Sequence, residues 1–285
     1  MLLSIFAVLA GLAFGSFLNV CISRLPRHES IVRPRSRCPF CLTSIRNSDN
    51  IPILSFLLLK GRCRACGSRI SPRYPLIEAA TAALFLLCFL EFGLTLRGIA
   101  AAVLCWMLLG LAATDAETLL LPQALTLPGL ALGVIHSGLQ GIGDTPPSPV
   151  SNLDHSSAWD LSFAVSWKSA GQSLLWAACA AALILLIRGV YWLVRRREGI
   201  GLGDATLLAM VAAWLGPWQT GLVLFLAVLA AAVYGLALIV LPRIREDAHP
   251  SLAVRIPLGA FLSGAAIFAI FRGDDLLKWY FSFWP

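Results

Sequence analysis

The chain has 285 residues, of which 58% are hydrophobic and 13% charged, with a mean hydropathy of +0.80. A soluble domain is about a quarter charged, so this balance excludes an ordinary globular protein and points to an all-α polytopic membrane protein with lipid around it. The net charge of +7 does not imply nucleic acid: 11 of the 22 Lys and Arg lie between Arg24 and Arg73, beside an apolar run, where membrane topology accounts for them.

Crossing ~30 Å of hydrocarbon takes ~17–25 apolar residues in a helix. Eight stretches qualify: 2–22, 75–93, 97–114, 120–139, 172–194, 204–216, 219–241 and 256–271. About eight transmembrane helices are therefore expected. Residues 1–23 lack a basic n-region and read as a retained first helix rather than a cleaved signal. Segment 24–74 follows, with eleven basic residues against Glu29 and Asp49; Arg195 to Arg197 follow the fifth run, and Arg243 and Arg245 the seventh. Threaded in order, all three basic regions fall on one face, which the positive-inside rule makes cytoplasmic. Both termini are then periplasmic, as is the loop 140–171, rich in Ser, Pro and Gly and carrying Asp144, Asp154 and Asp160. The expected organisation is a first helix (1–23), a cytoplasmic zinc-knuckle segment (24–74), helices two to four (75–139), a periplasmic loop (140–171) and helices five to eight (172–285). Residues 51–60 are apolar but too short to span, and are expected on the membrane surface.

Of eight cysteines, four are patterned. Cys38-Pro-Phe-Cys41 and Cys63-Arg-Ala-Cys66 are C-x2-C pairs 21 residues apart, close to the spacing of a tetrahedral zinc site. Four thiolates leave no open coordination position, so the expected zinc is structural. Two disulfides or a redox pair are the alternatives, and a cytoplasmic location disfavours disulfides. Cys21, Cys88, Cys105 and Cys179 lie within apolar runs and read as small buried residues.

Among nine aspartates, Asp115 and Asp204 stand apart, because each abuts a long apolar run on the face assigned as cytoplasmic. A carboxylate so close to hydrocarbon tends to be functional or paired. If the two meet, mutual repulsion keeps one protonated while the other ionises, which suits one to act as base on water and the other as acid on a carbonyl. Gly201-Leu202-Gly203-Asp204 also fits a helix N-cap, a bland alternative for Asp204. Glu117, at i+2 from Asp115, points elsewhere on a helix. Glu78 reads equally as a site acid or as a partner for arginine.

Several blocks, taken in order, resemble a known family. Gly15-Ser16-Phe17-Leu18-Asn19-Val20 with Arg24-Leu25-Pro26, the paired cysteine knuckles, and Tyr74-Pro75-Leu76-Ile77-Glu78 are followed by the Asp115 segment running into Leu121-Pro122, Gly-x-Gly-Asp at 201–204, and Ile256-Pro257-Leu258-Gly259. The set is similar to the bacterial prepilin peptidases of type IV pili and type II secretion. The resemblance implies a membrane aspartic endopeptidase of the bacterial inner membrane that removes the basic leader of prepilins or pseudopilins after a glycine. It also implies methylation of the new amino terminus with S-adenosylmethionine, though no residues binding that donor are identified. Asp115 and Asp204 occupy the catalytic positions and Cys38, Cys41, Cys63 and Cys66 the zinc positions. Thr206 and Gln123 depart from the lysine and aspartate often found there. The competing reading from the residues alone is a proton-coupled transporter with an intramembrane aspartate pair; a non-catalytic scaffold is a third. The sequence fixes neither the oligomeric state nor which pilin-like protein is cut.

Overall fold

The computed structural model describes residues 2–140, 167–196, 201–240 and 256–283, so most of the loop 140–171, together with Arg197, Arg243, Arg245 and Asp247, lies outside the described residues. Among the described residues the chain is nearly all helical: α1 (Leu2–Arg24), α2 (Leu54–Leu58), α3 (Arg73–Phe92), α4 (Leu96–Thr118), α5 (Gln123–Gln140), α6 (Trp167–Arg195), α7 (Leu202–Val240) and α8 (Leu258–Phe281). Every apolar run singled out above falls on one of these helices. Five of them, α1, α3, α4, α6 and α7, are long and apolar enough to cross a membrane. The expected count of eight is not reached on that measure. α5 has 18 residues diluted by polar side chains such as Gln123, Thr126 and His136, and α8 ends in Arg272, Asp274, Asp275 and Lys278.

The sixth and seventh runs share α7, broken at Gly216 with φ 75°. Neighbouring contacts show the direction of the chain on each side of the break. Gly203 packs on Leu121, which also packs on Gly259 at the start of α8. Gln219 bonds Asp274 near the end of α8, and the Tyr234 ring then meets Phe261 back near its start. The chain thus rises, turns at Gly216-Pro217 and returns. A positive φ is what glycine supplies without steric cost, and Pro217 suits the first turn of the returning arm.

Interhelical packing depends on small residues, as expected where lipid removes much of the hydrophobic drive for association. A Cβ on Gly11 would lie 2.6 Å from the Ala82 Cα, and one on Gly15 would lie 2.8 Å from the Glu78 Cα. The α1 and α3 backbones touch there. Asn19, on the same face of α1, donates to the Tyr74 carbonyl at 3.0 Å, a bond between the two helices. α4 is the central helix: Leu104, Leu108 and Leu111 are buried against Leu207, Met210 and Val211 of α7 and Leu262 and Ala266 of α8. Cys21, Cys88 and Cys105 are buried as expected, but Cys179 is exposed on α6.

These contacts define two ends of the bundle. One end gathers the 25–72 segment, the end of α4 and the starts of α5, α7 and α8. The other holds the ends of α3 and α8, linked by the Phe92–Phe271 stack and an ion pair between Arg272 and Glu91.

Candidate active site

Asp115 lies in the last turn of α4, buried at 5% exposure. Leu119 closes that helix in the left-handed conformation, and Pro122 opens α5 after a three-residue link. Leu121, within the link, therefore projects beside the carboxylate. The Asp115 Oδ2 accepts the Ala260 N–H at 2.9 Å. Ala260 is in the first turn of α8, where its N–H is shared between the Asp115 carboxylate and the Pro257 carbonyl, the latter at 3.2 Å, and where the helix dipole favours an anion.

Asp204 lies in the first turn of α7. It is the third helical residue rather than the N-cap, and its Oδ2 accepts the Gly201 N–H at 3.3 Å. That is the reach of a capping-box acid. The recorded bond occupies one oxygen only, so capping leaves the other for different work. Leu121 lies between the places that hold them: a Cβ on Gly203, next to Asp204, would be 2.8 Å from the Leu121 Cβ, and one on Gly259 would be 2.8 Å from its Cδ1 and 3.0 Å from the Asp115 Oδ2. Two sequence-distant aspartates are thus brought to the same end of the bundle.

The other acids nearby are engaged elsewhere. Glu117 pairs with Arg73 at 2.5 Å, joining the end of α4 to the start of α3. Glu78, also buried, accepts the Ile53 N–H at 2.7 Å. Its partner is therefore a backbone group and not an arginine, and the bond anchors the 51–58 segment to α3. Leu54, Leu57 and Leu58 of that segment are exposed.

The four patterned cysteines converge, with all four sulfurs within 4.8 Å of one another and Cys38 Sγ 3.8 Å from Cys66 Sγ. Tetrahedral zinc with bonds of ~2.3 Å requires sulfurs ~3.8 Å apart, so the cluster fits that metal. Each knuckle is closed the same way: the Cys38 N–H bonds the Thr43 carbonyl and the Cys63 N–H the Ser68 carbonyl. Leu42 and Gly67, the residues after each second cysteine, both have positive φ. The Cys41 backbone N–H pulls the Cys38 thiol down to about 6, favouring the thiolate a metal binds. Asp49, between the knuckles, holds Arg64 through two bonds of 2.8 and 2.7 Å.

A model of the bacterial peptidase A24 N-terminal domain matches residues 9–92, and one of the type IV leader peptidase family matches residues 102–236. The chain is similar to the prepilin leader peptidase/N-methyltransferase of Aeromonas salmonicida, 35% identical over 306 residues, covering 96% of this chain and 92% of that one. The chain belongs to the type IV leader peptidase family. The prepilin leader peptidase/N-methyltransferase of Klebsiella pneumoniae is 42% identical over 225 residues, 75% of this chain and 85% of its own. That of Myxococcus xanthus is 37% identical over 239 residues, covering 84% of this chain; this chain spans 64% of that relative's length. No solved structure matches at a significant level.

Within this leader peptidase, the two departures noted in the sequence have plain local roles. Thr206 donates to the Gly203 carbonyl at 2.9 Å, and Gln123 begins α5. Sequence reasoning missed the Ala260 N–H and the Leu121 side chain. The Pro257-Leu258-Gly259 and Leu121-Pro122 blocks marked both places without naming what they do.

Among the described residues, neither of two cavities is matched to a methyl donor. The cleft bounded by Val20, Arg24, Ile31, Arg35 and Asn50, beneath the knuckles, holds about 160 Å³, below the ~300–1,000 Å³ usual for cofactor pockets. The cavity of about 510 Å³ beside Trp218 and Phe281 lies at the end of the bundle opposite the aspartates.

Proposed function

We propose that this leader peptidase cleaves prepilins or pseudopilins with Asp115 and Asp204 as its catalytic pair, and that, like the named function of its relatives, it methylates the new amino terminus. The observation that carries the pair is their convergence beside Leu121, at the end of the bundle that holds the basic segment. One carboxylate takes a proton from water as the oxygen attacks the scissile carbonyl; the other donates a proton to the carbonyl oxygen. Collapse of the tetrahedral adduct breaks the C–N bond, and the amine leaves with a proton returned from the pair. The assignment of base and acid is not needed for the balance, because the pair regains its starting protonation.

The protein is a multi-pass inner-membrane enzyme in this reading. Eight crossings follow if α5, both arms of α7 and α8 each span. The aspartate end is then cytoplasmic, where a basic leader is presented, and both chain ends are periplasmic. Cys38, Cys41, Cys63 and Cys66 hold one structural zinc that stabilises the 24–74 segment. S-adenosylmethionine supplies the methyl group for the second activity, through residues the geometry does not single out.

Asp115→Asn and Asp204→Asn test the pair. Asn keeps size and most hydrogen bonding but cannot exchange protons, so each variant should abolish leader cleavage while remaining folded in the membrane. Because the two groups share one task, the double variant should be little worse than either single one. Substantial cleavage by purified Asp204→Asn would return Asp204 to a cap alone.

A further inference from the structure

Leu121 touches both glycines that frame the aspartates. A Cβ on Gly203, the residue before Asp204, would lie 2.8 Å from the Leu121 Cβ. One on Gly259, the residue before Ala260, would lie 2.8 Å from its Cδ1 and 3.0 Å from both its Cδ2 and the Asp115 Oδ2. The Leu121 Cβ and Cδ1 therefore face the α7 start, and its two Cδ atoms face the α8 start. Those are the two places that hold the carboxylates, since Asp204 is one residue beyond Gly203 and Asp115 is bonded to Ala260. A Cβ at either glycine would crowd Leu121, so one leucine lies in the gap between the two helix starts.

We infer that Leu121 is a positioning residue for leader cleavage, a spacer whose side chain fixes the separation of Asp115 and Asp204. This rests on the proposed aspartate pair. Water and the scissile carbonyl must fit between two carboxylates, and a displacement of about 1 Å in such an array can cost ~100-fold in rate. Shortening the spacer lets the α7 start settle toward α8 and shifts the two carboxylates relative to each other. The loss should therefore fall on kcat rather than on KM.

The two contacts also predict compensation. Gly259→Ala thrusts a methyl against the Leu121 Cδ atoms; Leu121→Ala removes those atoms and opens the space the methyl would fill. Each change disturbs the gap in the opposite sense.

The test uses the full-length enzyme in proteoliposomes with a purified prepilin. Leu121→Ala should lower kcat for leader cleavage by ~10- to 100-fold with KM within about twofold, and Leu121→Met should recover most of it. N-methylation of a pre-cleaved substrate should stay within about twofold of wild type for both, which a general loss of structure would not allow. Gly259→Ala should also lower kcat, and the Leu121→Ala/Gly259→Ala double variant should cleave faster than Gly259→Ala alone. Asp115→Asn in the same assay separates the two ideas. If it is inactive but Leu121→Ala cleaves at the wild-type rate, or loses cleavage and methylation in parallel, the spacer role is overturned and the aspartate pair stands. If Asp115→Asn cleaves normally, the pair fails and takes the spacer with it.

Discussion

The Asp115 Oδ2 and the Ala260 N–H are 2.9 Å apart across 145 residues of sequence. Through this bond the end of the central helix α4 is fixed to the start of α8. It also gives a buried carboxylate a donor that cannot leave. Replacing Ala260 with Pro, in the first turn of α8, deletes the N–H that the Asp115 Oδ2 and the Pro257 carbonyl share. Losing one hydrogen bond to a charged group is worth about 1.5–3 kcal/mol. Ala260→Pro should therefore reduce leader cleavage by roughly 10- to 100-fold, measured on purified enzyme with its thermal midpoint as a control for folding.

The cysteine cluster predicts metal content. Purified wild-type protein should contain about one zinc per chain by elemental analysis. Changing Cys38 and Cys63 to Ser removes one ligand from each knuckle and should bring zinc to background. With the metal gone, protease digestion should open the 24–72 segment first, because it has little apolar core of its own.

Contact between the α1 and α3 backbones predicts where bulk is forbidden. Gly11→Leu places a side chain where the Ala82 backbone already lies, and should lower stability in detergent by about 1–3 kcal/mol or more. Gly189→Leu on α6, where no atom lies within 4 Å, should leave the thermal midpoint unchanged.

Orientation can be read by labelling. A cysteine at Ser282 should react with a membrane-impermeant thiol reagent in intact cells, and one at Ser71 should react only after the membrane is opened. The reverse pattern would put the aspartate end on the periplasmic face and remove the route to a cytoplasmic leader.

Much of this was legible in the sequence because lipid imposes a simple rule. Each apolar run had to be helical, and each run named from composition falls on a helix. The knuckle spacing specified its own geometry, and Asp115 and Asp204 stood out by abutting apolar runs. What escaped notice involves the backbone or a plain aliphatic side chain. The donor to Asp115 is an N–H that any residue except proline would supply at position 260, and the partner of Glu78 is the N–H of Ile53, so neither leaves a mark in residue type. Leu121 looks like any other leucine in a Leu-rich stretch. The return of α7 on itself was half visible: one run ends at Gly216 and the next starts at Gln219, but only Gln219 beside Asp274 and Tyr234 beside Phe261 show the reversal.

The bond from Ile53 to Glu78 bears on how the cysteine module sits on the bundle. Glu78 lies five residues into α3, so the link between the knuckles is tied to the flank of that helix. Releasing it would take a backbone donor from a buried carboxylate, at a cost of about 1–3 kcal/mol. The cysteine module is thus moored and not hinged at this point.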